Sequence, residues 1–275
     1  MVVLLSVHPS RQQDLRSEHK IEVSPRVVTR DGLDPFGNIW TRFVAPAGRI
    51  EIRNDFLIED SGQPDESAPA AQQWGVNDLP DEVLPFLYGS RYCDTQRLTN
   101  LAWSLFGPIA SGWQRVQAIS DYVDQRIQFG YHHARSDRTA SEGYEERVGV
   151  CRDFAHLAVA LCRCMNIPAR YCTGYLGDSG VPKDPAPMDF SAWFEVYLDG
   201  TLDEPALRLV RPLQAQPIID RPPNSPPYRI SSQMVRRSPR TTATVLPICR
   251  TFQSAGDRHD SEAVCWPAWS IELLP

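Results

Sequence analysis

One cysteine stands where a helix is predicted to begin, and this feature constrains the chain more than any other. From residue 154 onward the apolar residues recur at spacings of three and four, which lines one face of a helix: Phe154, Leu157, Ala158, Leu161 and Met165. Gly149 precedes this pattern, and Asn166-Ile167-Pro168 ends it. The sequence therefore predicts a helix over residues 151–165 with Cys151 at its first position.

This position suits a nucleophilic thiol. The start of a helix combines the positive end of the helix dipole with backbone N–H groups that have no partner inside the helix, and both favour a thiolate. Most cysteines outside disulfides simply pack in the interior, however. Position alone leaves a catalytic and a structural interpretation of Cys151 open.

The sequence around Cys151 resembles a known family. The similarity to the core of the bacterial transglutaminase-like cysteine enzymes is carried by Gly149–Leu157, Ile167-Pro168-Ala169-Arg170-Tyr171 and Thr173-Gly174-Tyr175. Upstream, Asp14-Leu15-Arg16 and Phe36-Gly37-Asn38 resemble the small β-domain that precedes this core in bacterial members. The resemblance implies an α+β fold, in which a small antiparallel β-domain precedes a papain-like, transglutaminase-like core.

The resemblance also implies a Cys-His-Asp mechanism. The family's His, which takes up the thiol proton and later protonates the leaving amine, stands directly before an Ala-Trp pair on a strand. In this chain that position is Ser191, and serine is not a general base near neutral pH. The family's next strand carries the orienting Asp. Here Asp203 stands two residues before Pro205 and outside any strand pattern, so we predict that the third strand is missing.

Other histidines are candidate bases. His156 follows Cys151 by five residues, which turn a helix by about 500° and leave the two side chains about 140° apart around its axis. We therefore expect His156 to be a core or supporting residue. His132 and His133 precede a polar loop over residues 135–142, and they reach the thiol only if their segment folds over the cleft.

Strand-like alternation over residues 19–60 predicts an N-terminal antiparallel β-domain over residues 1–65. A polar segment at 59–73 separates it from the predicted core at 75–200. A helix is predicted from Gly112 to Arg126, and strands are predicted over 169–175 and 190–198.

The last 75 residues differ in composition. They hold 11 of the 24 prolines and nine arginines but no repeating apolar period, which predicts an irregular, poorly ordered tail over residues 201–275. A second hypothesis is a change of reading frame near Gly200. When the possible codons for Thr201-Leu202 are read one base later, one of the encoded dipeptides is Arg-Trp. This dipeptide is close to what the family has after its turn.

Composition excludes several function classes. A net charge of -6 without basic clusters in the first 200 residues argues against nucleic acid as a partner. The sequence shows neither an apolar run of the roughly 18 to 20 residues that a membrane helix needs nor a signal peptide, so we expect a cytoplasmic protein with no membrane partner. On a helix, the sulfurs of Cys162 and Cys164 point about 200° apart, so we predict no metal site.

These observations predict cysteine-dependent acyl transfer or hydrolysis, through a thioester on Cys151, with a protein or peptide as substrate. Water as the acceptor gives protease or amidase chemistry and a lysine amine gives crosslinking, and the sequence does not choose between them. Such chemistry needs no cofactor. Ser191 and the missing third strand with its orienting Asp favour the alternative of a pseudoenzyme or binding module that keeps the fold, and a purely structural domain is the third interpretation.

Overall fold

The structure is a computed structural model. It describes residues 1–58, 69–174 and 191–198, without the Asp55 side chain, together with the backbone of 207–210, 228–236 and 247–250. The strands are β1 (Val2–Val3), β2 (Ile21–Ser24), β3 (Thr29–Leu33), β4 (Ile39–Phe43), β5 (Ile50–Ile58), β6 (Gln128–Phe129), β7 (Val148–Gly149), β8 (Ala169–Gly174), β9 (Ser191–Tyr197), β10 (Leu207–Val210), β11 (Tyr228–Arg236) and β12 (Pro247–Arg250). The helices are α1 (Thr95–Phe106), α2 (Trp113–Arg126), α3 (Ala140–Glu146) and α4 (Cys151–Cys164).

Residue contacts divide the chain into two compact units. The first comprises Met1–Gln63, Tyr175–Asp189 and Ile218–Pro275, and the second comprises Pro64–Gly174 and Phe190–Pro217.

The first unit contains two antiparallel sheets, with the strand orders β1-β4-β3 and β12-β11-β5-β2. Residues two apart on a strand point to the same face, as do the buried Ile50 and Ile52 of β5. The buried apolar side chains of this unit are Val3, Leu5, Phe43, Ile50, Ile52 and Phe56. The small antiparallel β-domain expected from the sequence is confirmed.

Two strands of this unit come from the far end of the chain. β11 pairs with β5 along its whole length, from Tyr228 opposite Ile58 to Arg236 opposite Ile50, and β12 pairs with β11. The Pro- and Arg-rich composition gave no sign of them. The rest of the predicted irregular tail in this unit lies outside the described residues.

The second unit is built around α4. Every residue of this helix from Asp153 to Cys162 is buried, because α1, α2 and α3 pack against it together with strands β8 and β9. The helix predicted over residues 151–165 is observed over Cys151–Cys164. Helices and antiparallel strands thus share one core, which confirms the expected α+β fold.

The sheet behind α4 corrects one prediction. β8 and β9 pair antiparallel, from Ala169 opposite Val196 to Gly174 opposite Ser191, and β10 pairs with the other edge of β9. The prediction that the third strand is missing is therefore wrong. It relied on side chains that the family has, whereas an open strand edge pairs through backbone groups. β10 reads Leu-Arg-Leu-Val, without an acid, and Asp203 lies outside the described residues.

The loop predicted over residues 135–142 also differs, because α3 begins inside it. The Thr139 side chain accepts a hydrogen bond from the Glu142 N–H, and the Glu142 carboxylate accepts one from the Thr139 N–H, which forms a capping box. The sequence carried this signal as Thr139-x-x-Glu142. Among the described residues, we find no helix with the length and apolar character needed to cross a membrane.

Candidate active site

Cys151 is the first residue of α4, as predicted. Val150 precedes it in an extended conformation, and the residue itself is half-exposed although the helix behind it is buried. The carboxylate of Asp153 accepts a hydrogen bond from the Val150 N–H at 2.9 Å, which satisfies one of the amide groups at the helix start. Cys151 therefore lies between Val150 and Asp153, which are joined by this hydrogen bond.

Gly149 allows this arrangement. A Cβ atom placed on Gly149 would lie 2.7 Å from both Cβ and Oδ2 of Asp153, which is closer than real Cβ contacts. Glycine is thus required here for the close approach of a side chain, and the carboxylate reaches the Val150 N–H because residue 149 has no side chain of its own.

A buried ion pair holds the carboxylate. Arg138 Nη1 donates to Asp153 Oδ2 at 2.9 Å, and the two side chains are 5% and 0% exposed. Buried charges are tolerated when they are paired and hydrogen-bonded, and Asp153 Oδ2 meets both conditions, whereas Oδ1 is buried without a hydrogen-bond partner in the part of the chain that the structure describes. The sequence marked Asp153 only as an acid in the first helical turn and gave no signal for Arg138.

The segment of residues 130–138, called the wall segment here, runs beside the start of α4. The Gly130 N–H donates to the Gly149 carbonyl at 3.0 Å, which extends the parallel pairing of β6 with β7. Farther along, Arg152 donates to the carbonyl oxygens of Arg135 and Ser136. The wall segment is therefore attached on both sides of Cys151 in sequence, at Gly149 and at Arg152.

His132 and His133 lie in the wall segment, in a short 3-10 turn. Their ring centroids are 3.9 Å apart, and His132 is exposed while His133 is half-exposed. The structure thus places both histidines on a segment that is hydrogen-bonded next to the strand leading into Cys151.

His156 has a different environment. Its side chain is 5% exposed, its ring stacks on that of Tyr92 at 5.3 Å between centroids, and Tyr171 packs against it at 5.0 Å. Burial, with a smaller contribution from the charge of Arg152, lowers the pKa of His156 to about 4. His156 is therefore a neutral residue of the core at physiological pH.

Ser191 begins β9, opposite Gly174 of β8. It is half-buried, and its carbonyl accepts a hydrogen bond from Thr173 Oγ1 at 3.1 Å. Helix α4 packs against both strands. The strand position that the resemblance assigns to the catalytic His is thus present in the fold, and it carries a hydroxyl.

Tyr171 is a residue that the sequence analysis did not nominate. It lies on β8, and burial is the main cause that raises its pKa to about 12, while negative charge at Cys151 raises it further. The sequence analysis includes Tyr171 only as part of the family resemblance and of a predicted strand, because no local pattern signals its burial.

Other thiols of the described residues are less suited to react. Burial raises the pKa of Cys93, Cys162 and Cys164, and it raises the pKa of Cys172 to about 12. Since the thiolate is the reactive form, these four react slowly at neutral pH.

A cysteine at the start of a buried helix, packed against an antiparallel sheet, is the arrangement expected for a thiol enzyme fold. Residues 100–202 match the model of the transglutaminase-like superfamily, so this part of the chain is similar to that superfamily.

Two mycobacterial proteins are similar to this chain in sequence. An uncharacterized protein of Mycobacterium tuberculosis is 26% identical over 180 residues, which cover 60% of this chain and 56% of the relative. An uncharacterized protein of Mycobacterium leprae is 27% identical over 175 residues, which cover 58% of each chain. The match thus spans less than two thirds of the length of these relatives.

The fold is shared with a solved structure, that of a putative cysteine protease from Cytophaga hutchinsonii. The similarity has a TM-score of 0.58 with 24% sequence identity, and it covers 96% of this chain and 86% of that one.

Proposed function

We propose that this protein is a cysteine-dependent acyltransferase or hydrolase with Cys151 as its nucleophile. The observation that supports the proposal best is the position of Cys151, which is half-exposed at the first residue of an otherwise buried helix. The helix dipole and the nearby N–H groups favour both a thiolate and the oxyanion that forms when it attacks a carbonyl.

The reaction has two steps. The Cys151 thiolate attacks the carbonyl carbon of a peptide or glutamine amide, the C–N bond breaks, and the amine leaves after it gains a proton, so that a thioester remains. In the second step water or an amine attacks the thioester, and the thiolate leaves. Water gives a hydrolase, and a lysine amine gives a crosslinking acyltransferase.

The general base of this mechanism must come from a residue other than Ser191, because a serine hydroxyl is not a base near neutral pH. We propose that His132 or His133 is the general base, because the backbone of the wall segment is hydrogen-bonded beside the strand that leads into Cys151. His156 is unsuited because a base with a pKa of about 4 accepts a proton poorly at neutral pH.

The substrate in this proposal is a protein or peptide in the cytoplasm, and no cofactor takes part. The net charge of -6 makes attraction to nucleic acid or to an anionic membrane surface unfavourable.

A second candidate function is a non-catalytic binding module. Ser191 at the strand position of the family's His favours it, because a chain that keeps the fold without the base has lost the direct route for proton transfer. Under this alternative, Cys151 is an ordinary thiol.

The first experiment is the pH dependence of Cys151 alkylation by iodoacetamide, followed by mass spectrometry of the tryptic peptide. A nucleophile at the helix start predicts a rate that is already high at pH 6 to 7, below the ordinary thiol pKa of about 8.5. The Cys151→Ala variant measures the background from the other thiols. A rate that rises only near pH 8.5, or no labelling, would contradict the proposal and favour the binding module.

A second measurement tests the thioester itself. Incubation with an activated acyl ester should add one acyl mass to the wild-type protein, and hydroxylamine should remove it, while the Cys151→Ala variant stays unmodified. Single substitutions His132→Gln and His133→Gln then identify the base by loss of the rate at neutral pH.

A further inference from the structure

One arginine contacts both sides of the Cys151 site. Arg138 Nη1 donates to the His133 carbonyl at 2.8 Å as well as to Asp153 Oδ2 at 2.9 Å, and Nε donates to Glu146 Oε2 at 2.9 Å. His133 belongs to the wall segment, and Asp153 belongs to the first turn of α4. A single guanidinium thus connects the two sides and attaches both to α3.

The neighbouring Arg135 provides a contrast. Its side chain is 39% exposed, and its ion pairs are with Asp137, Glu142 and Glu146, which lie on the loop and on α3. These pairs are local. Surface ion pairs of this kind contribute little, so Arg135 is a matched control for the loss of an arginine from the same segment.

Burial gives the contacts of Arg138 their importance. The Asp153 carboxylate is fully buried, and its other cation is Arg152, whose Nη2 lies 3.7 Å from Oδ1. Without Arg138, a buried carboxylate would remain with one distant partner, two residues from the thiol. Removal of one member of a buried pair is strongly unfavourable because the other charge stays uncompensated.

We propose that Arg138 is a positioning residue of the Cys151 site. It holds the His132–His133 turn and the first turn of α4 at a fixed separation, and it balances the charge of the buried Asp153 carboxylate two residues after Cys151. The inference rests on the proposed function, since it concerns the same nucleophile. It adds that a residue 13 positions before Cys151 in sequence sets the reactivity of that thiol.

The test compares Arg138→Met, Arg138→Lys and Arg135→Met in the full chain, using the pH profile of Cys151 alkylation. Arg138→Met should move the midpoint upward by about one pH unit, which is about a tenfold loss of rate below both midpoints. Arg138→Lys keeps a cation and should recover most of the shift, and it is also the variant to use if Arg138→Met does not fold. Arg135→Met should leave the midpoint unchanged. Equal profiles for Arg138→Met and Arg135→Met would overturn the proposal.

A double variant separates the charge effect from the positional effect. Arg138→Met combined with Asp153→Asn removes both charges and keeps an acceptor for the Val150 N–H, so the alkylation midpoint should return toward the wild-type value. Hydrogen exchange should nevertheless stay faster than wild type over residues 130–138 and 150–154, because the contact that joins these segments is gone. Arg135→Met should not change exchange over residues 150–154.

These readouts distinguish a failure of this inference from a failure of the proposed function. A wild-type midpoint near pH 8.5 contradicts the proposed function, whereas the role of Arg138 is measured as a shift from whatever midpoint wild type has. If Cys151 is not labelled at all, hydrogen exchange decides. Wild-type exchange over residues 150–154 in Arg138→Met would then overturn the inference.

Discussion

His156 shows how burial decides the role of a single residue in this site. The ring lies between Tyr92 and Tyr171, and burial shifts its pKa from the ordinary value of 6.5 to about 4. A histidine close in sequence to a reactive cysteine suggests a catalytic pair, yet here desolvation removes its basicity. The wall-segment histidine His133 is only partly buried, in contrast to His156.

The buried His156 makes stability depend on pH. Its folded-state pKa is below its unfolded value, so the unfolded chain binds more protons between pH 4 and 6.5, and the free energy of unfolding should fall as pH falls through this window. Because of this group, the free energy of unfolding should be higher above pH 6.5 than below pH 4 by about 3 kcal/mol. Urea unfolding at several pH values should show this slope in wild type and a smaller one in His156→Phe. The exposed His132→Gln is the control, and an unchanged slope in His156→Phe would contradict the assignment.

At the scale of secondary-structure elements, the junction of β7 and α4 determines where the thiol lies. Three features coincide there: the side-chain-free Gly149, the extended Val150, and the Asp153 carboxylate that accepts the Val150 N–H. Each restricts the path of the chain just before the helix. Cys151 thus owes its position to backbone geometry at the junction as well as to the packing of α4.

Gly149→Ala tests this junction. The added methyl group would overlap Asp153, and overpacking of this kind costs about 1 to 3 kcal/mol. Urea unfolding should show that loss. Gly143→Ala in α3 is the matched control, because its new Cβ would meet its nearest neighbour at an ordinary 3.7 Å and alanine favours a helix over glycine. Equal stability of Gly149→Ala and wild type would contradict the steric argument.

The elements that could be predicted from sequence are those with a strong internal period. The apolar spacing after Cys151 predicts the limits of α4 to within one residue, and the strands predicted over 169–175 and 190–198 agree closely with β8 and β9. α3 was missed because its capping signal lies in a polar segment, although Thr139 and Glu142 carried it. Arg138 and Tyr171 could not be found at all, since their importance comes from burial and from neighbours distant in sequence, which no local pattern encodes.

At the scale of the whole molecule, the match to the superfamily model ends close to where the composition changes. The superfamily model matches residues 100–202, and the Pro- and Arg-rich stretch begins at residue 201. β10 nevertheless pairs with β9 beyond this point, through a sequence that lacks the acid implied for the third strand. This coincidence supports the hypothesis of a change of reading frame near Gly200.

The nucleotide sequence of the gene tests this hypothesis directly. Translation in the shifted frame after Gly200 should give a strand with Trp, Phe and the orienting Asp of the family. Independent sequencing of the same locus then distinguishes a sequencing error from a genuine mutation. A shifted frame without these residues, or with an early stop codon, would exclude the hypothesis, and the Pro- and Arg-rich stretch would then be the native one.

The buried pair of Arg138 and Asp153 has an evolutionary consequence. Replacement of either residue would leave the charge of the other buried and unpaired. Most single substitutions at either position should therefore be eliminated by selection on folding alone. Ser191 begins a strand and is only half-buried, so it can change with little effect on the fold. A lineage that abandons the chemistry would therefore lose the base first and keep the arginine and the aspartate. The ion pair therefore reports the fold around Cys151 and does not by itself report activity.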